Sequence, residues 1–345
     1  MRVSTLLSFA ALVACGDGGR AKETSASGSA SLTGITASET GSEGIDPSND
    51  TLGKLDVLNA GDAGASGPVD TSSDGGCKKV DLLFVIDTSG SMADEQINLV
   101  QSFPALIDGM RTELADTMGY NVGIITTDTY VFDLSCTPLQ DGILVTQTGG
   151  ADSSGMVCDP YASGKRYMTE ADDLETKFAC AAQVGTGGDG NERPMGALSA
   201  ALSPALTDPG ACNEGFLRDD ALLVVVIITD EEDDHEGTAQ ACDMLPQPGS
   251  NGEPPGWFAA VTAAKGGKES SIVVLALVGP QDDPCPTLDK CNGGIAGAEI
   301  APRIIEFTEM FTYGFVGSVC QPYGPFFVEA ISVIKSACDD FEPPG

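Results

Sequence analysis

The hydrophobic pattern from residue 77 to about 340 alternates between short apolar runs and longer stretches with helical spacing. The strongest run, 221–229, is β-branched and apolar almost throughout, which is typical of a strand covered on both faces. The run 80–86 has the same character and is interrupted only by Asp81. The predicted strands are 80–86, 120–126, 142–147, 221–229, 271–278 and 313–317.

Amphipathic stretches separate these apolar runs. Apolar residues recur with helical spacing between Met92 and Met118, and Pro104 is expected to kink or divide that helix. Buried strands that alternate with helices predict an α/β fold, a mainly parallel central sheet with helices on both faces. Ligands in this architecture bind beyond the carboxyl ends of the strands. The other predicted helices are 170–183, 192–203, 255–265, 299–312 and 325–338.

Residues 16–76 have a different composition from the rest of the chain. They are rich in Gly, Ser, Ala, Thr and Asp and contain no aromatic residue. Such a segment cannot bury enough apolar surface to offset its chain entropy, so we expect a disordered acidic tether. The folded part is then a single enlarged domain over 77–345.

The first fifteen residues have the parts of an export signal. One arginine precedes the apolar run 6–14, which is too short to span the ~30 Å hydrocarbon core of a membrane. Leu12-Val13-Ala14-Cys15 resembles the bacterial lipobox, which implies a lipoprotein that is lipidated at Cys15. Gly16 follows in place of Asp, which in that family favours an outer-membrane anchor, facing the periplasm or the cell surface. The alternative is an ordinary signal peptide with an incidental cysteine.

The cysteine count agrees with export. Cys15 is one of 11 cysteines, and the remaining ten form an even set, typical of up to five disulfides in an exported chain. Sequence spacing leaves the pairing open, apart from the prediction that Cys285 and Cys291 close a small loop. The ten disulfide candidates are Cys77, Cys136, Cys158, Cys180, Cys212, Cys242, Cys285, Cys291, Cys320 and Cys338.

The net charge restricts the classes of partner. The chain has 17 Lys+Arg against 51 Asp+Glu, a formal charge of -34. This balance argues against a nucleic-acid surface and against a polybasic patch for anionic lipid, so membrane contact is expected only through the N-terminal lipid. The single histidine, His235, cannot build a His-rich zinc centre.

Oxygen-bearing side chains follow two of the predicted strands. Asp87, Ser89 and Ser91 come after the first strand, and Asp230 comes after the strongest one. Because parallel strands end at the same rim of a sheet, these oxygens can reach one ion. Hard oxygen ligands without His or Cys suit Mg²⁺, Mn²⁺ or Ca²⁺. The next residues, 231–234, are all acidic and are predicted to form a solvated loop.

Two motifs resemble the von Willebrand factor A domain. Asp87-Thr88-Ser89-Gly90-Ser91 matches the DxSxS signature of that family, and Ile227-Ile228-Thr229-Asp230 is similar to its later strand-end motif. The resemblance covers most of 77–340 and implies a metal-ion-dependent adhesion site. Ser89 and Ser91 would then bind the ion directly, Asp87 and Asp230 directly or through water, and a partner carboxylate would complete the octahedron.

The third element of the family pattern departs from this resemblance. Counting back from Gly196-Ala197-Leu198 places Glu192 where the family has a threonine, while Thr186 lies further upstream. Both residues are candidates for the remaining oxygen ligand. Glu192 would add negative charge and weaken the attraction of the ion for an incoming carboxylate.

We therefore predict a non-enzymatic surface lipoprotein whose domain binds a divalent cation and, through it, a protein or a surface polymer. The alternative from another class is a Mg²⁺-dependent phosphatase, because the Asp87 turn also resembles the aspartyl-phosphate turn of haloacid-dehalogenase-like enzymes. Those enzymes usually carry a second Asp two residues after the nucleophile, where this chain has Ser89. A third possibility is a structural scaffold with no functional metal.

Overall fold

The computed structural model describes residues 76–343, apart from 115, 116, 118, 234–247 and 281–296. The described residues form a six-stranded sheet with the order β3-β2-β1-β4-β5-β6. All neighbouring strands are parallel except β2 and β3, so the predicted mainly parallel sheet is confirmed. The strands are β1 (Val80–Ile86), β2 (Tyr120–Thr126), β3 (Met168–Thr169), β4 (Leu222–Ile228), β5 (Ile272–Val278) and β6 (Gly314–Ser318).

Helices cover both faces of this sheet. Successive side chains of a strand point to opposite faces, so in β1 Leu82 and Phe84 belong to one hydrophobic cluster and Leu83 and Val85 to the other. Helices α1, α2 and α7 pack in the first cluster, and α3, α5 and α6 pack in the second. The helices of the described chain are α1 (Ala93–Glu113), α2 (Leu174–Ala182), α3 (Pro194–Ala201), α4 (Pro204–Thr207), α5 (Pro254–Ala263), α6 (Pro302–Glu309) and α7 (Tyr323–Asp339).

The three central strands end at the same level. Ile86 of β1 is in register with Thr126 of β2 on one side and with Ile228 of β4 on the other. The residues that follow these strands therefore share one rim of the sheet. This register places Asp87 beside the end of β4.

The predicted strand at 142–147 is wrong. Its apolar residues are buried, but side chains rather than a strand ladder satisfy most of its backbone. The guanidinium of Arg166 donates to the carbonyl of Leu144, and the carboxylate of Asp133 accepts from the amide of Thr146. The edge of the sheet beside β2 is instead occupied by β3.

The predicted helices exist, with shorter boundaries in several cases. The helix expected over 92–118 ends at Glu113, and Pro104 lies inside it without dividing it. The helix expected over 170–183 begins only at Leu174, because the side chain of Asp173 caps its first turn by accepting from the amide of Thr176.

Disulfide bonds brace the described residues, as predicted. The pairs are Cys77–Cys338, Cys136–Cys212 and Cys158–Cys180, and Cys320 is also disulfide-bonded. The bond from Cys77 to Cys338 joins the residues just before β1 to the end of α7. The remaining candidates, Cys242, Cys285 and Cys291, lie outside the described residues, and so does the predicted pair between the last two.

Removing Cys77–Cys338 is expected to destabilise the fold more than removing Cys158–Cys180. The first bond closes a sequence separation of 261 residues and the second one of 22. A longer closed loop restricts the unfolded chain more, and the difference corresponds to about 2 kcal/mol. Urea unfolding of the two double alanine variants measures it, and equal losses would contradict this loop-entropy account.

None of the helices in the described ranges is long and apolar enough to cross a membrane. Several disulfides in one chain are typical of an exported protein. The predicted export signal at 1–15, the lipidation site Cys15 and all of the predicted tether except Gly76 lie outside the described residues.

Candidate metal centre

Four of the predicted site residues converge at the carboxyl ends of β1 and β4. The Oγ of Ser89 lies 3.3 Å from the Oγ of Ser91 and 3.4 Å from Oδ1 of Asp230. The amide of Asp87 donates to the carbonyl of Ile228, 3.0 Å away, which fixes the β1 turn against the end of β4. Asp87 and Asp230 are completely buried, and both serines are nearly so.

The local geometry of the turn holds the carboxylate of Asp87. Its Oδ1 accepts from the amide of Ser89 at 2.6 Å, and its Oδ2 accepts from the hydroxyl of Thr229 at 2.6 Å. The bond to an amide two residues ahead is an Asx turn, which bends the chain sharply after the strand. Burial, and then the charge of Asp230, raise the pKa of Asp87 to about 7.

Asp230 has an unsatisfied carboxylate oxygen. Its Oδ2 is buried and has no hydrogen-bond partner among the described residues. Burial raises the pKa of Asp230 to about 7, although the hydroxyls of Ser91 and Ser89 favour the ionised form. A buried carboxylate oxygen without a partner is costly, and a bound cation would satisfy it.

Of the two candidates for the third element, the structure brings Glu192 to Asp87. Glu192 is completely buried, and its Oε2 accepts from the hydroxyl of Thr127 at 2.5 Å. Burial, followed by the charge of Asp87, raises the pKa of Glu192 well above its ordinary value. Thr186 is half-buried, and its hydroxyl donates to the carboxylate of Asp152 at 2.7 Å.

Gln96 supports the site, and the sequence reasoning missed it. Its Nε2 donates to the carbonyls of Asp87 and Gly185, both 3.0 Å away, and its Oε1 accepts from the amide of Gly185 at 2.9 Å. Gln96 thereby ties the end of β1 to the glycine-rich loop, residues 185–190, that leads to Glu192. The sequence signal for this role was a polar residue at a position that helical spacing from Met92 and to Leu99 places on the buried face of α1.

Replacing Gln96 with leucine is expected to destabilise the fold by about 3 kcal/mol, because three buried backbone groups lose their partners. Urea unfolding measures the loss. Gln101→Leu is the matched control, since Gln101 is exposed on the same helix, and it should stay within about 0.5 kcal/mol of the parent. Equal losses of stability in the two variants would contradict the bracing role inferred for Gln96.

The acidic run after Asp230 is buried over its described part, so the prediction of a solvated loop is wrong there. Oε2 of Glu232 accepts from the amide of Arg303 at 2.7 Å, and Oδ2 of Asp233 accepts from the amide of Met195 at 3.1 Å. These amides lie in the first turns of α6 and α3, where helix N–H groups lack partners and attract negative charge. Asp234 lies outside the described residues.

Carboxylates alone do not make this site a metal centre. Within the described residues, no three His, Cys, Asp or Glu side chains are grouped so that they could hold a metal ion. Any cation at the end of β1 would therefore depend on the serine hydroxyls as well. Two buried carboxylates with raised pKa values and two adjacent hydroxyls fit a hard divalent cation, whose charge would offset the repulsion between the acids.

Comparisons with known proteins gave similarity to solved structures only. No protein-family model matches the chain, and no curated protein does. The chain is similar to proximal thread matrix protein 1 from the mussel byssus, with 11% identity, a TM-score of 0.35, and coverage of 75% of this chain and 49% of that chain. It is similar to a von Willebrand factor type A structure from Catenulispora acidiphila, with 13% identity, a TM-score of 0.37, and coverage of 75% and 43%. The chain spans less than half the length of either structure.

Proposed function

We propose that this chain is an exported, non-enzymatic lipoprotein whose α/β domain binds a divalent cation and, through it, a protein or surface-polymer partner. The observation that carries the proposal is the buried oxygen cluster of Asp87, Ser89, Ser91 and Asp230. Its unsatisfied Asp230 Oδ2 is the strongest single feature, because a cation is the simplest partner for it.

The residues fit the roles that the adhesion-site resemblance implies. The hydroxyls of Ser89 and Ser91 and Oδ2 of Asp230 would hold Mg²⁺, Mn²⁺ or Ca²⁺ directly. Asp87 would act through water, since hydrogen bonds already engage both of its oxygens. Gly90 is exposed and has open space around it, which leaves room for a partner's carboxylate to approach the turn.

The environment of Asp87 favours a binding role over the phosphatase alternative. A nucleophilic carboxylate has to present an oxygen to the substrate. The Asp87 side chain is completely buried, and Ser89 and Thr229 occupy its two oxygens. Steady hydrolysis of para-nitrophenyl phosphate at saturating Mg²⁺, lost in Asp87→Asn, would nevertheless overturn the non-enzymatic proposal.

The N-terminal segments would place this domain at the outer membrane. A lipid at Cys15 would anchor the chain, and the acidic tether would extend the domain away from the bilayer. Replacing Cys15 with serine should release the protein from the membrane fraction into the soluble fraction. Retention of the serine variant in the membrane fraction would contradict lipid anchoring.

Partner binding is tested by capture from a cell-surface extract on the immobilised chain, with Mg²⁺ or with EDTA. We expect proteins or polymers that are retained only with Mg²⁺ and are lost on a Ser89→Ala/Ser91→Ala column. Retention that survives EDTA would contradict binding through the cation. Absence of cation binding by the chain itself would support the scaffold alternative.

A further inference from the structure

Acidic side chains surround the candidate metal centre. Burial is the largest cause that raises the pKa values of Asp87, Asp230 and Glu192. The neighbouring charges that raise these values further are all acidic, and two of them belong to Glu231 and Asp128. Five carboxyl groups therefore act on one another here, and Oδ2 of Asp230 has no hydrogen-bond partner among the described residues.

The two arginines beside this acidic cluster are paired with other acids. Nη2 of Arg193, the residue after Glu192, lies 3.4 Å from Oδ1 of Asp141. Arg303 donates to the carbonyl of Asp233 at 3.0 Å, and its Nη1 lies 3.8 Å from Oδ1 of the same residue. Neither arginine is therefore available to offset the five carboxyl groups of the cluster.

One divalent cation would leave this cluster with a surplus of negative charge. Its two positive charges fall short of five carboxylates, and one proton shared between Asp87 and Glu192, whose side chains are hydrogen-bonded to each other, does not close the gap. A carboxylate that approached the cation would meet like charges at short range in a buried site, where repulsion is strong. The partner carboxylate that the family resemblance implies is therefore disfavoured in this chain.

The surface beside the Asp87 turn exposes hydrogen-bond acceptors. Gly90 is exposed with open space around it, and the carboxylate of Asp94, in the first turn of α1, is exposed as well. The glycine-rich loop adds the exposed Asp189 and is held against the turn, because the amide of Gly188 donates to the carbonyl of Thr88 at 3.1 Å. Ionised carboxylates only accept hydrogen bonds, so a ligand that reaches this surface has to bring donors.

We propose that the partner of the metal centre is a neutral polysaccharide, bound through its sugar hydroxyls. This inference rests on the proposed cation site and names the class of ligand that the site takes. A sugar hydroxyl is a neutral oxygen ligand for a hard cation, and it also donates a hydrogen bond to a carboxylate such as that of Asp94 or Asp189. A carboxylate ligand would add charge and has no hydrogen bond to donate.

Glu192 is the residue that sets this preference. It stands where the family pattern has a neutral threonine, it is completely buried, and it accepts a hydrogen bond from the hydroxyl of Thr127. Glu192→Gln removes one acid from the cluster and keeps the size of the side chain and an acceptor for Thr127. In the presence of a divalent cation, this variant should therefore bind carboxylates more tightly than the parent does.

The test is a glycan array probed with the full chain, either with Mg²⁺, Mn²⁺ and Ca²⁺ or with EDTA. Each uronic-acid glycan is printed beside its carboxyl-reduced form, which has the same linkages and a hydroxymethyl group in place of the carboxylate. Aspartate-bearing peptides are printed on the same array. We expect neutral glycans to be retained only with the cations, at least about fivefold more tightly than their carboxylated forms.

Variants test whether the local charge decides this preference. In Glu192→Gln the ratio of neutral to carboxylated binding should fall at least about fivefold. Glu329→Gln is the matched control, since it removes an exposed acid of α7, and it should leave the ratio unchanged. An unchanged ratio in a Glu192→Gln variant that melts at the temperature of the parent would overturn the role of Glu192. Glu192→Thr repeats the comparison if the glutamine variant unfolds.

Calorimetric titration of the same cations separates failure of this inference from failure of the proposed function. If the parent binds no cation, the proposed function and this inference are both wrong. If the parent binds a cation and the array retains only acidic glycans or aspartate-bearing peptides, the polysaccharide inference alone is overturned. Retention of no glycan at all by the cation-loaded parent has the same meaning.

Discussion

Replacing Asp230 with asparagine is expected to lower the affinity for a divalent cation by at least about 100-fold, because changes in an outer coordination shell already cost about 10–100-fold. The substitution removes the charge of the unsatisfied Oδ2 and keeps the size of the side chain. Without metal, the same variant should melt at a higher temperature than the parent, since one of two mutually repelling buried acids is gone. Calorimetric titration and thermal unfolding in EDTA measure the two effects.

Asp233→Asn is the matched control for this prediction. Asp233 is an equally buried acid three residues further along, and hydrogen bonds from Ser250 and Met195 engage its carboxylate. Its substitution should lower stability and leave the cation affinity within about twofold of the parent, an energy change of less than about 0.5 kcal/mol. If the cation affinity were lost only in Asp233→Asn, the cation would bind at Asp233 and the assignment to Asp230 would be wrong.

The metal-free protein is expected to lose stability as the pH rises from about 4 to about 7. Burial raises the pKa of Asp87 and of Asp230 from 3.8 to about 7, and it raises that of Glu192 well above 4.5. Over this interval the unfolded chain releases protons that the folded chain keeps, so the free energy of unfolding falls. A shift of about three units corresponds to about 4 kcal/mol for each of Asp87 and Asp230, which is the upper limit of the loss that each group contributes.

A saturating cation should remove much of this pH dependence, because it stabilises the ionised carboxylates in the folded state. Urea unfolding between pH 4 and pH 8, with EDTA or with Ca²⁺, compares the two slopes. Buried acids elsewhere, such as Asp81 and Glu232, contribute a slope of the same sign. The Asp87→Asn/Asp230→Asn variant corrects for them, and a slope in EDTA that equals the parent's would contradict the assignment to this pair.

The central part of the fold could be predicted from the sequence because its signals are local. The strands β1 and β4 are long apolar runs, and the structure places them side by side at the centre of the sheet. Parallel pairing of these runs brings their ends to one rim, which is why Asp87 and Asp230 could be placed together in advance.

The errors arose where distant residues satisfy polar groups. Residues 142–147 have the composition of a strand, but Arg166 and Asp133 bind the backbone of Leu144 and Thr146. The amide of Val145 donates to the carbonyl of Ile124 in β2, and this bond alone does not make a strand ladder. The acidic run is buried because it meets the amide ends of α3 and α6, a contact that no local pattern shows. The sequence left the choice between Glu192 and Thr186 open, because that choice depends on the course of the glycine-rich residues 185–190, which Gln96 of α1 holds at Gly185.

Titration of Mg²⁺, Mn²⁺ and Ca²⁺ into the metal-stripped chain, beside the Ser89→Ala/Ser91→Ala variant, tests the proposed metal centre most directly. The account predicts saturable binding of one ion per chain to the parent and at least about tenfold weaker binding to the variant. Equal titration curves for the two proteins would mean that the Asp87 turn holds no cation, and would contradict the proposed function.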